Sequence, residues 1–196
     1  MDDVSGGYNA LAVEYISRRS SSIGVATVRH WAAHLPPGGS ILDLGCAHGV
    51  PISAALMKDG FNVYGIDASP NLVQEFRRQC PDALVKCEAV ETSTFFDHHF
   101  DSVIAIGLMF LLSEDTQRQL IHRVSSVLRP GGRFLFTAPA QDVAWSDTLT
   151  GRQSRSLGRE AYEAALREAG LELVAEYTDE GESHYYSAKR SPQTAD

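Results

Sequence analysis

Cysteine is scarce in this chain: three residues in 196, Cys46, Cys80 and Cys87. An odd number without tight spacing builds no disulfide framework, and Cys80 and Cys87 stand too isolated for a zinc site. The pattern is one of free thiols in a reducing compartment, so a cytoplasmic location is expected. Positive charge is also short, with 17 Lys and Arg against 25 Asp and Glu and a net charge of −8. That lacks the basic face a general nucleic-acid binder needs. No apolar run approaches the ~20 residues of a membrane span, so no membrane partner is expected. The opening, MDDVSGGYNA, is acidic and polar and does not read as a signal peptide. Repeats and low-complexity segments are missing too. What remains is an ordinary soluble composition, 43% hydrophobic and 21% charged, at a length suited to one α/β domain.

The most informative stretch is Ser40 to Ser53, SILDLGCAHGVPIS. Ser40 to Leu44 is a short apolar run that reads as a buried strand. A small-residue turn follows from Gly45 to Gly49, and Pro51 suits the first turn of a helix reaching about Asp59. Strand, glycine turn and helix form the geometry that binds nucleotide-like ligands. Gly45 and Gly49 are expected to let the backbone approach a ligand where a Cβ would collide. Asp43 ends the first strand, and Asp67 ends the next apolar run, Asn62 to Ile66. A carboxylate there is placed to grip two ribose hydroxyls. A dinucleotide fingerprint, Gly-x-Gly-x-x-Gly, would need glycines at 45, 47 and 50; the chain has Ala47 and Val50.

These residues resemble the class I S-adenosylmethionine-dependent methyltransferases. The family's first motif, acid-x-Gly-x-Gly-x-Gly, stands here as Asp43-Leu-Gly45-Cys-Ala47-His-Gly49, with Ala47 replacing the middle glycine. GIDAS, FDSVIAIG and LRPGG follow in the family's order. The resemblance implies S-adenosylmethionine as cofactor, held by Gly45, Cys46, Ala47, Asp67 and Ala68, with the backbone of Ile106 and Gly107 against its methionyl amine. It places the adenine contacts either on Ala89, Val90 and Glu91 or, in the other register, on Glu88 and Ala89. Tyr8 and Tyr15 match a Tyr-(x)6-Tyr lid helix over the cofactor; a helix packed on the domain without ligand contact explains the same spacing. Three thiols could bind arsenic, as in the arsenite methyltransferases, but they fit small buried apolar residues better.

Taken in order, the chain predicts helices over 7–19 and 25–35, then the first strand, and a helix from Pro70 to about Cys80 capped by Ser69. Strands follow at 83–87, 100–106 and 134–138, with a helix after Ser113 reaching Leu128. Residues 141–157 read as a long polar loop carrying Trp145, of the kind that is more often functional than idle. Glu160 to Ala169 is the last helix, and strands at 171–178 and 184–189 close the chain. The expected fold is a seven-stranded doubly wound sheet, parallel except for the last strand, with helices on both faces. Residues 1–190 form one domain, 1–37 a helical cap or lid, and 191–196 a disordered tail.

Ligands of open α/β sheets lie beyond the carboxyl ends of the strands. There the chain offers Trp145, Asp147 and Arg152 after the fifth strand, and Glu180, Glu182, His184 and Tyr185 around the final hairpin. His184 is the best candidate for a base, since its ordinary pKa is near neutrality; pairing across the hairpin is the competing role. Trp145 and Tyr185 are the candidate substrate contacts, and Tyr185 and Tyr186 alternate faces. His48 is read as positional, and His98 and His99 as solvated. No metal ligands are expected. The function so implied is methyl transfer to a small-molecule oxygen or nitrogen nucleophile. The alternative is a non-catalytic subunit that binds S-adenosylmethionine or a partner through the same fold.

Overall fold

The computed structural model describes residues 3–192; most of the tail expected to be disordered lies outside them. The central sheet has seven strands in the order β3 (Leu84–Cys87), β2 (Asn62–Asp67), β1 (Ser40–Leu44), β4 (Phe100–Ala105), β5 (Leu128–Thr137), β9 (His184–Arg190) and β8 (Leu171–Thr178). Strands β3 to β5 pair in parallel, and β9 runs antiparallel to both of its neighbours. β1 lies in the middle and is buried along its whole length, as its unbroken apolar run requires.

The period of two along the strands divides the core. Leu42, Val103, Phe134, Phe136 and Tyr186 face one side, where α5 (Glu114–Val127) and α6 (Arg159–Glu168) supply Leu120, Ile121, Val124, Tyr162 and Leu166. Ile41, Ile104, Leu135 and Tyr185 face the other, against Val28 and Trp31 of α2 (Val25–Ala32) and Ile52 and Leu56 of α3 (Ile52–Lys58). Two of the helices open on a serine cap. The Ser69 hydroxyl accepts from Leu72 N–H to open α4 (Pro70–Gln79), and the Ser113 hydroxyl accepts from Thr116 N–H to open α5. α1 is shorter than expected, Ala12–Arg18, because Gly6 and Gly7 carry the preceding segment through turns.

One sequence expectation about the elements is corrected. The stretch 141–157 is not a loop: it folds into a two-stranded hairpin, β6 (Asp142–Ser146) against β7 (Gln153–Leu157). The turn before β4 holds three successive non-glycine residues, Phe95, Phe96 and Asp97, at φ of 51°, 62° and 52°. Burial of Phe95 in the core and an edge-on contact of Phe96 with Tyr64 hold that left-handed turn. Among the described residues no helix is long and apolar enough to cross a membrane.

Candidate cofactor pocket

A cavity of about 340 Å³ opens beyond the carboxyl ends of β1, β2 and β4, within the volume range of small-molecule sites. Its floor is the turn after β1. Gly45 N–H and Cys46 N–H both donate to Ile66 O, at 2.8 and 3.1 Å, which ties the turn to the end of β2. Ala47 N–H donates to Asp67 Oδ2 at 2.9 Å, and Ser69 N–H to Asp67 Oδ1 at 2.8 Å. The Asp67 carboxylate is thus aimed by two backbone donors, and each oxygen keeps a lone pair for a ligand. Burial pushes its pKa up against the pull of those two bonds. Behind it Asp43 is buried and accepts from the Ser53 hydroxyl at 2.5 Å. Burial raises Asp43 to about 7, with the Asp67 charge adding and Ser53 opposing.

Gly45, Ala47 and Gly49 all adopt positive φ, at 68°, 49° and 82°, but they serve different ends. Gly45 lines the cavity, and a Cβ there would meet the Leu108 side chain at 3.1 Å. Gly49 does not line it: a Cβ would strike Cys80 Sγ at 2.9 Å and the Phe76 ring at 3.0 Å. The expectation that Gly49 makes room for a ligand is therefore corrected; it makes room for α4. Ala47 takes the strained conformation itself, and its methyl packs with Ala12 and Leu72 beneath the lid.

Of the residues singled out in the sequence, the cavity gathers Tyr8, Tyr15, Gly45, Ala47, Asp67, Ala68, Ala89, Val90, Glu91, Ile106 and Gly107. Glu88 does not line the cavity and lies 3.6 Å from Lys86. Arg123 of α5 fixes the wall after β3: its guanidinium donates to the Val90 and Ser93 carbonyls and lies 4.3 Å over the Phe95 ring. Gly107 N–H donates to the Thr137 hydroxyl at 2.7 Å, which sets the opposite wall. The Cys46 thiol turns inward, against Phe76 and Cys80, and away from this cavity.

The roof has two parts. Tyr8 and Tyr15 meet edge to face at 5.8 Å, and Asn9 pins their segment to the start of α4 through Ser69 Oγ, Asn71 N–H and Asn71 Nδ2. The β6–β7 hairpin supplies Asp147, Thr150, Arg152, Gln153 and Ser154. Asp147 Oδ1 accepts from Thr150 N–H at 2.7 Å and from its hydroxyl at 2.8 Å, and Oδ2 accepts from the Tyr8 hydroxyl at 3.2 Å. Burial raises the Asp147 pKa, and these bonds outweigh it and leave the carboxyl below its ordinary value. Burial and the Asp147 charge push the Tyr8 hydroxyl well up, so it stays protonated. Ser154 is 1% exposed, lines the cavity, and its hydroxyl has no partner. Buried Gln117 locks the hairpin down by donating to Leu112 O at 3.0 Å and Arg155 O at 2.8 Å while accepting from the Tyr162 hydroxyl at 2.5 Å.

The residues expected to meet the acceptor do not reach the cavity. His184 Nε2 lies 2.9 Å from Glu176 Oε2, across the final hairpin, and its ring packs on Tyr186 at 4.7 Å. Tyr185 is buried in the core beneath α2 and donates its hydroxyl to Asp179 at 2.8 Å. Trp145 rests on Phe110, ring centroids 5.3 Å apart, outside the cavity wall. His48 is buried edge-on to Tyr15 at 6.0 Å, and burial lowers its pKa. In their place stand Leu108, Leu111 and Leu112 after β4 and Ser154 on β7. The leucines carry no polar signal in the sequence. Ser154 was concealed because a polar hairpin, DVAWS and QSRSL around a Gly151 turn, reads as loop.

Residues 41–132, from β1 into β5, match the family model of a methyltransferase domain. Methyltransferase GfsG of Streptomyces halstedii is 30% identical in an alignment 165 positions long that covers 74% of this chain and 56% of that protein. The chain spans about half the length of the curated relatives it matches. Among solved structures, magnesium protoporphyrin IX methyltransferase from Synechocystis with bound SAM superposes with a TM-score of 0.76 at 17% identity, covering 97% of this chain and 98% of that one. CalS10, an amino pentose methyltransferase from Micromonospora echinaspora, gives 0.72 at 18% identity over 93% and 96%. Over the glycine turn and Asp67 the chain is thus similar to a methyltransferase domain, and along nearly its whole length it shares the fold of S-adenosylmethionine-dependent methyltransferases.

Proposed function

We propose that the chain transfers the methyl group of S-adenosylmethionine to an oxygen or nitrogen atom of a small molecule, with residues 1–190 acting as one catalytic unit and 1–37 as its cap. The observation that carries this reading is the form of the cavity: it runs from the half-buried carboxylate of Asp67 to an apolar and hydroxyl-lined end under the hairpin. The lining fits the cofactor. Asp67 offers an ionisable, backbone-aimed acceptor for a ribose diol, Ala89, Val90 and Glu91 a flat wall for adenine, and Gly45, Ala47, Ile106 and Gly107 a side-chain-poor channel for the methionyl part. The cofactor supplies a methyl group already activated on a sulfonium, so the protein's task is alignment and exclusion of water.

At the far end Leu108, Leu111 and Leu112 exclude water from one side of the acceptor. Tyr8 donates its proton to Asp147, which leaves the lone pairs of its oxygen to accept from an acceptor hydroxyl or amine. Ser154 offers the second hydrogen bond. No histidine lines the cavity among the described residues. An acceptor proton therefore passes towards Tyr8 and Asp147 or to solvent; the low pKa of Asp147 makes it an orienting group more than a strong base. The amino pentose named for one structural relative and the molecule-sized cavity both support a small acceptor. The test is incubation with labelled S-adenosylmethionine and a panel of phenols, sugars and amines. Formation of S-adenosylhomocysteine with at least one acceptor class supports the proposal. Tight cofactor binding without turnover on any of them would favour the non-catalytic role.

A further inference from the structure

Of the two tryptophans in the chain, Trp31 is fully buried in the core, whereas Trp145 on β6 is only half-buried, against the half-buried ring of Phe110. Both rings stay outside the cavity, but each adjoins its wall. Trp145 lies directly opposite Ser154 across the hairpin, and opposed residues share a face. Ser154 lines the cavity, and its buried hydroxyl has no partner. Phe110 stands between Leu108 and Leu111, which both line the cavity. Val143, two residues before Trp145 on the same face of β6, is 39% exposed and extends the apolar surface outward. The cavity itself, about 340 Å³, is at the lower end of the range for small-molecule sites. A nucleoside joined to an amino acid takes most of that space. An acceptor therefore brings its reacting end beneath the roof and leaves its body against the surface that adjoins the wall.

Resting on the methyltransferase reading above, we propose that Trp145 and Phe110 form an outer acceptor subsite, a shelf for the flat aromatic body of a molecule whose hydroxyl or amino group reaches inward to Ser154 and Tyr8. The acceptor class is then a phenol or an aromatic amine. Indole and phenyl faces attract other aromatic rings in offset or edge-on contact, beyond the apolar area they bury. On the shelf only the indole N–H can form a hydrogen bond. A body rich in hydroxyls would lose water there without replacing it, which disfavours a saccharide.

The test titrates protein saturated with S-adenosylhomocysteine with 2-naphthol and, separately, with its ring-saturated analogue, which keeps the carbon skeleton and the hydroxyl but has no aromatic face. Calorimetry on wild type, Trp145→Leu and Trp145→Phe reads both probes. The expected result in Trp145→Leu is a loss of about threefold to tenfold for 2-naphthol, the range of one aromatic contact. The saturated alcohol stays within about twofold, because leucine keeps the apolar contact. Trp145→Phe, which keeps a ring, falls between. Affinity for S-adenosylhomocysteine stays within about twofold in both variants, since Trp145 does not line the cavity; this also shows that the variants' sites are folded. Equal losses for the two probes would make the pair a plain apolar surface and overturn the assignment, as would an unchanged affinity for 2-naphthol. Weakened S-adenosylhomocysteine binding would make Trp145 a prop of the hairpin and overturn it too. If wild type binds S-adenosylhomocysteine but not 2-naphthol, the shelf is refuted and the methyltransferase reading stands. If it does not bind S-adenosylhomocysteine, that reading falls and the shelf with it.

Discussion

Asp67→Ala separates the cofactor role of the glycine turn from its structural role. In the folded protein the carboxylate accepts from Ala47 N–H and Ser69 N–H. Removing it frees two backbone donors, each costing about 1 kcal/mol net. It also removes a carboxylate whose pKa burial has raised, and that relief opposes the loss. The expected change in folding stability is therefore small, within about 1 kcal/mol of zero. Binding is a different matter. Two ribose hydroxyls donating to one ionised carboxylate are worth roughly 2–3 kcal/mol together, so affinity should fall by about 30- to 150-fold. Because the ribose is common to S-adenosylhomocysteine and 5′-methylthioadenosine, the two should weaken alike. Asp67→Asn is no gentler: in either orientation its amide NH2 faces one of two fixed N–H donors. Calorimetry with a parallel urea melt decides. A folded Asp67→Ala variant that binds S-adenosylhomocysteine as wild type does would refute the assignment.

Asp43 is raised by burial from 3.8 to about 7, so the folded state holds its proton where the unfolded chain has lost it. Stability from this group is complete below pH ~4 and declines as pH rises towards ~7; Asp43→Asn should flatten that decline, by roughly 4 kcal/mol at most, in urea melts from pH 4 to 8. Gly49→Ala should destabilise the fold by about 2–3 kcal/mol through its positive φ and the Phe76 and Cys80 contacts; a wild-type urea midpoint would contradict the packing role given to this glycine. Tyr8→Phe should leave S-adenosylhomocysteine affinity within about threefold and lower turnover by about tenfold or more, read by initial rates on whichever acceptor the panel identifies. His184→Ala should keep turnover within about twofold, since its partner Glu176 lies away from the cavity; a hundredfold loss would return His184 to the reaction.

Much of the fold and one end of the cavity were legible in the chain because their signals are local. The run of Ser40 to Leu44, the proline and serine caps, and the turn at 45–49 are each decided within a few residues. Their order admits few topologies once parallel crossovers must share one hand. Asp67 was legible for the same reason: the end of the second strand is its own address. Distances across the sheet were not. Whether His184 met an acceptor or Glu176 depended on the register of β9 on β8, where His184 pairs with Thr178. Tyr185 and Tyr186 were known to take opposite faces, but both faces proved to be core, which only the packing of α2 and α6 decides. Gly49 and Gly45 look alike in the motif, and the contact of α4 makes one a packing residue while the other stays on the cavity wall. The acceptor end is the extreme case. Tyr8, Asp147 and Ser154 come from opposite ends of the chain and meet because a polar hairpin is clamped by Gln117, and no local pattern encodes a contact between residues more than a hundred positions apart.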